Sequence, residues 1–141
     1  MSTFIDSLRT TLSGYARYRG REGHISFLLH RITGLGTLLF LTVHIVDTSL
    51  AYFKPEWYQH AIELYTAWYF MIGEIILVFC VIFHGVNGLR IAYYDMFKPA
   101  AWNIPGQRTS SRWTLTVSIL LWLPAGGIMA YRLLHDTLGW I

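Results

Sequence analysis

Trp68-Tyr-Phe-Met-Ile-Gly-Glu74-Ile-Ile-Leu-Val-Phe-Cys80-Val-Ile-Phe-His84-Gly-Val-Asn87-Gly-Leu-Arg90-Ile-Ala-Tyr93 is longer than the ~20 residues a helix needs to cross a bilayer. It is apolar apart from Glu74, His84, Asn87 and Arg90. Two further stretches read the same way, roughly Phe27–Leu50 before it and Trp113–Leu134 after it. The composition agrees. Of 141 residues, 54% are hydrophobic and 13% charged, with a mean hydropathy of +0.40. A water-soluble domain carries about 25% charged residues, so this chain lacks the charge to coat a surface facing water. The 16% aromatic content also excludes disorder. One cysteine, Cys80, leaves no internal disulfide framework and no multi-cysteine metal site. The expected fold is an all-α membrane protein: a single domain over 1–141, with spans of about 27–50, 68–93 and 113–134, a short N-terminal amphipathic helix, and a place in a hetero-oligomeric helix bundle.

The charges set the orientation. Arg9, Arg17, Arg19, Arg21 and Arg31 precede or open the first span, and Arg90, Lys98, Arg108 and Arg112 flank the second connection. Lys54 and Arg132 fall on the other side. The positive-inside rule places the N-terminus and the second connection in the cytoplasm, giving a multi-pass membrane protein. The net charge of +3 is thus a topology signal, and no nucleic-acid motif accompanies it. Ile5, Leu8, Leu12 and Tyr15 recur at helical spacing, as in a helix lying on the membrane surface or against a soluble partner. Lys54-Pro55-Glu56-Trp57, Lys98-Pro99 and Pro105-Gly106 are read as breaks in the helical pattern.

Ionisable groups at the centre of a spanning helix cost about 2.5 kcal/mol or more each and tend to mark function. Ser26, His30, Thr33, Thr37, His44 and Thr48 form one stripe of the first span. Thr33, Thr37 and Thr48 are expected to bond carbonyls one turn back. Gly34 and Gly36 permit close approach of another helix. Arg31 at the boundary can reach lipid phosphates or, with His30, an anionic or carbonyl-bearing ligand. His84 reads either as bonded to a neighbouring helix or as an iron ligand; Gly85 and Gly88 beside it leave room for a flat group. At ~1.5 Å per residue from the cytoplasmic end, His84 lies roughly 14 Å deep, His44 roughly 25 Å and His30 about 4–5 Å. This count gives His84 no partner at its own depth within the chain. The roles of His44, Asp47 and Glu74 stay open.

Two motifs resemble those of a known family. Ser26-Phe-Leu-Leu-His30-Arg31-Ile-Thr33-Gly34 resembles the Ser-x-x-His-Arg-x-[Ser/Thr]-Gly signature of the succinate dehydrogenase cytochrome b subunit. His84-Gly-Val-Asn-Gly88-Leu-Arg90-Ile-Ala-Tyr-Tyr-Asp95 resembles its His-x-x-x-Gly-x-Arg-His-x-x-x-Asp signature. Serine stands one residue earlier than the family spacing, and Ile91 replaces the second motif's second histidine. The resemblance implies a membrane anchor of respiratory complex II. It implies haem b with His84 as axial ligand and the second ligand from another anchor subunit, and His30 and Arg31 near the haem propionates. It implies Ser26, Arg31 and Asp95 at a site for ubiquinone or menaquinone, with a flavoprotein and an iron–sulfur subunit as partners. The chain carries no flavin or nucleotide fingerprint, so it is expected to be a subunit of an enzyme with no succinate chemistry of its own. The alternatives are an anchor of a quinol:fumarate reductase, a haem-free structural anchor, or a small transporter subunit using the polar stripe.

Overall fold

The computed structural model describes residues 2–17, 22–137 and 139. Arg19 and Arg21, and the side chains of Tyr15 and Arg17, lie outside what is described. Helix α1 runs Ser2–Arg17, α2 Glu22–Phe53, α3 Pro55–Tyr65, α4 Trp68–Phe97 and α5 Ile104–Arg132. A 3-10 turn, Pro99–Ala101, precedes α5, and a π-helical turn, Leu133–Thr137, follows it. The expected all-α architecture is present: α2, α4 and α5 are long and apolar enough to cross a membrane. Each is longer than the hydrophobic run that announced it, because helices continue through the polar headgroup zone beyond the ~30 Å hydrocarbon core. Helix α1 exposes Phe4, Ile5, Leu8 and Leu12.

The helical pattern breaks where the sequence reading placed it: α2 ends at Phe53, before Pro55, and α4 at Phe97, before Pro99. Pro55 is the first residue of α3, and Pro105 sits in the first turn of α5. The first-turn N–H groups have no intrahelical acceptor, so proline is tolerated there and presets φ. Pro55 and Pro105 thus also open the helices that follow the breaks. Asn103 caps α5 by accepting from the Gly106 N–H at 2.8 Å. The first connection thus contains a helix of its own, α3, tied back to α2 where the Tyr65 hydroxyl donates to the Asp47 carboxylate. That carboxylate holds the phenol proton, and the Tyr65 pKa rises to about 12.

α4 is central and packs against both α2 and α5. The buried positions are mostly small and polar: Ser26 and Thr33 on α2, Asn87 on α4, and Ser111, Thr114 and Ser118 on α5. Phe83 is the largest fully buried side chain among the described residues. Small hydroxyl residues let backbones approach while their own polar groups stay bonded inside the bundle. Thr33 donates to the Leu29 carbonyl at 2.7 Å, Thr37 to Thr33 at 2.8 Å and Thr48 to His44 at 2.6 Å, as the stripe predicts. The large aliphatic side chains point outward, Leu35, Leu38 and Leu39 among them. Outside water, that exposure carries no hydrophobic penalty.

α5 is fixed to its neighbours at both ends. Glu22 at the start of α2 pairs with Arg108, Nε to Oε2 at 3.1 Å, and with Arg112. Toward the opposite end Trp122 donates its indole N–H to the Ile75 carbonyl of α4 at 3.0 Å, its ring folded over Gly126. A Cβ on Gly126 would stand 2.8 Å from that ring. Trp122→Phe keeps the ring and removes the donor. It is expected to cost about 1 kcal/mol, read as a lower thermal-unfolding midpoint in detergent.

Candidate functional site

The antiparallel pairing of α2 with α4 brings together residues far apart in sequence. Ser26 lies opposite Asn87, and its hydroxyl donates to Asn87 Oδ1 at 3.0 Å. His30 lies opposite His84, with rings stacked at 4.1 Å and 4° from parallel. Gly36 lies opposite Cys80. The depth count that separated His30 from His84 is therefore corrected. It measured each helix from the edge of its apolar run, as if those edges were level. α4 instead continues past the start of α2, and the stagger sets the two imidazoles side by side.

His84 is held on two sides by geometry alone, the His30 carbonyl on one and Gly34 on the other. Its Nδ1 lies 3.1 Å from the His30 carbonyl oxygen. A carbonyl only accepts, so in this bond Nδ1 carries the proton, and the neutral ring keeps its lone pair on Nε2. Gly34 forms the other wall: a Cβ there would come within 2.8 Å of His84 Cε1. Glycine at this position is what allows the imidazole to lie against α2. The space beside Gly85 is open, with nothing within 4 Å of where its Cβ would be. His30 Nδ1 is buried and has no hydrogen-bond partner.

The other sequence-selected residues are placed differently. Ser26 is nearly fully buried, and its hydroxyl is engaged by Asn87. Arg31 is exposed, with its guanidinium 4.9 Å from the centre of the Phe27 ring one turn back. Asp95 is exposed and accepts from the Trp102 indole N–H at 2.7 Å. The bundle thus joins Ser26, His30, His84 and Asn87 into one cluster, while Arg31 and Asp95 stand outward at the same basic end. His44, at the other end of α2, is exposed and stacked on Phe40 at 5.4 Å. Among the described residues no group of three or more His, Cys, Asp or Glu side chains is placed to hold a bare metal ion.

Sequence reasoning did not find the contact of Gly34 with His84, the Ser26–Asn87 bond, or the bond from Arg90 to Ser111. Gly34 and Asn87 are visible as a small and a polar residue inside spans. What pairs them is the register between helices, which hydropathy does not encode.

Tested against an iron porphyrin, His84 is the residue of this cluster that could ligate the iron: its Nδ1 is engaged by the His30 carbonyl, which leaves Nε2 as the nitrogen to do so. His30 does not complete a pair with it. Its ring lies parallel and face to face with His84, so the two imidazoles would not hold one iron between them.

These features define a membrane-anchor bundle: three spanning helices, a polar cluster at the basic end and aliphatic outer faces free to meet other subunits or lipid. Comparison with known proteins agrees. Residues 9–125 match the succinate dehydrogenase/fumarate reductase transmembrane subunit family, and the chain belongs to that family. It is 30% identical over 117 residues to the succinate dehydrogenase 2 membrane subunit SdhC of Mycobacterium tuberculosis, covering 82% of this chain and 83% of that protein. The chain is a multi-pass membrane protein of this bacterial anchor class.

Ser26→Ala would leave the buried Asn87 oxygen without its donor. A stranded buried acceptor costs ~1–3 kcal/mol. The variant is expected to lower the unfolding midpoint in detergent more than Thr48→Ala, whose hydroxyl is exposed and bonds within its own helix.

Proposed function

We propose that this chain is a cytochrome b anchor of succinate dehydrogenase, binding haem b through His84 and helping to form a quinone-reduction site at its basic end. The observation that carries this reading is the bond from His84 Nδ1 to the His30 carbonyl. Imidazoles that ligate metals characteristically give their other ring N–H to such an acceptor, which fixes the tautomer and the ring's orientation. Family membership supports the same reading. The stacking of His30 on His84 favours a second axial ligand from another polypeptide, the second membrane anchor of the complex.

Haem, when bound, supplies a one-electron carrier inside the low-dielectric bundle. The chain's own residues do the rest. Gly34 and the His30 carbonyl hold the His84 ring in place, and His30 and Arg31 would offer an N–H donor and a cation to the propionates. The positive-inside rule puts this end in the cytoplasm, where an iron–sulfur subunit would deliver electrons drawn by a flavoprotein from succinate. A quinone there needs donors for its carbonyl oxygens and access to water for protons. Arg31 and Asp95 are exposed at that end: Arg31 would donate to a carbonyl oxygen, and Asp95, open to water, would pass protons. The Ser26 hydroxyl must leave Asn87 before it can touch a quinone, so Arg31 is the more direct donor. The same geometry would serve a quinol:fumarate reductase, whose direction depends on the potentials of its partners. Ubiquinone and menaquinone would both meet these donors.

In the assembled complex, His84→Ala is expected to abolish the reduced b-type haem absorption band while Leu35→Ala leaves it intact. A wild-type complex without the band would make the chain a haem-free anchor. Arg31→Ala is expected to cut quinone reduction about ten-fold or more, the size of one charge-assisted bond. Succinate oxidation by a soluble artificial acceptor should be unchanged. Equal loss in both assays would mean failed assembly rather than a damaged quinone site.

A further inference from the structure

We propose that the groove between α4 and α5 at the basic end binds one anionic phospholipid, with its phosphate at Arg90. The cavity there has a volume of about 780 Å³ and is separate from the His30–His84 cluster. Val86, Leu89 and Trp113 line it together with Arg90, Thr109 and Ser110. Leu89 is 74% exposed and Trp113 66%, so the groove opens outward from the bundle rather than into it.

Three observations specify the occupant. First, Arg90 has no carboxylate partner. Its Nη1 donates to the neutral Ser111 hydroxyl, and its Nε is buried with no partner at all. By contrast, Arg108 and Arg112 at the same end share the Glu22 carboxylate. Second, no acidic side chain lines the cavity among the described residues. The site thus offers an anion the Arg90 cation without a lining carboxylate, with the Thr109 hydroxyl beside it and the Ser110 hydroxyl bonded to the Gln107 carbonyl at 3.3 Å. Third, the lining is graded. Arg90, Thr109 and Ser110 supply polar groups, Trp113 supplies the amphipathic ring typical of the headgroup level, and Val86, Leu89 and Val117 supply an apolar wall. A free phosphate would use only the polar part, and a protein helix would have to bring its own carboxylate to the level of Arg90. A phospholipid supplies the anion and a chain to cover the wall, and arginine is well suited to phosphate oxygens.

The test is native mass spectrometry of the chain with its assembled partners, extracted in mild detergent and exchanged into nanodiscs of phosphatidylglycerol or phosphatidylcholine. The wild type is expected to retain one phosphatidylglycerol per copy in preference to phosphatidylcholine. Arg90→Gln should lower that retention about five-fold, the effect of one basic residue near an anionic membrane surface. Arg90→Lys should keep most of it, and Arg132→Gln at the far end should change nothing. Should Arg90→Gln fail to assemble, Thr109→Val with Ser110→Ala reads the same site by a smaller loss. A photo-crosslinker at Trp113 should label lipid. The proposal is overturned if both lipids are retained equally, if Arg90→Gln and the hydroxyl pair retain phosphatidylglycerol like the wild type, or if the crosslinker captures a neighbouring subunit.

Discussion

The register between α2 and α4 is the constraint on which the rest of the molecule depends. Two contacts between these antiparallel helices set it: the Ser26 hydroxyl on Asn87, and His84 Nδ1 on the His30 carbonyl. Where water is scarce, an unpaired buried polar group is costly, so a slip of one residue between the helices would strand several groups at once. Gly34 makes the register sterically possible, since any side chain there would collide with the His84 ring. The direction of the His84 imidazole is a consequence of helix packing.

The interior is unusual for a protein of this size. It holds hydroxyls, one carboxamide and one large aromatic ring, while leucines and isoleucines cover the outside. In water such a chain would have little to drive its folding. In a membrane, lipid tails are as apolar as leucine, and close backbone contact with internally satisfied hydrogen bonds takes over. The same arrangement leaves the outer faces available to further subunits, as expected of an anchor in a larger assembly.

Charge divides the two ends. Glu22, Arg108 and Arg112 tie α2 to α5 at the basic end, while Arg31 and Arg90 there have no carboxylate partner among the described residues. These two arginines face different surroundings. Arg31 lies over Phe27 on the outer surface of α2, and Arg90 reaches into the α4–α5 groove. One end of one small bundle can therefore present separate anion-seeking sites without the cations competing for a single partner.

By itself, the sequence determined the number of spans and their approximate ends, because apolar length is a one-dimensional property that the bilayer reads directly. It also determined the inward bonding of Thr33, Thr37 and Thr48, which is local to a helix. Helix α3 was hidden because Pro55 signals a break and a helix start equally well. Only the tertiary structure decided that His30 stacks on His84, that Ser26 is spent on Asn87, and that Arg31 and Asp95 stand apart from both. The physical reason is that stagger between antiparallel helices is fixed by which small residues let backbones meet and which polar groups find each other. Neither is contained in the hydropathy of one helix alone.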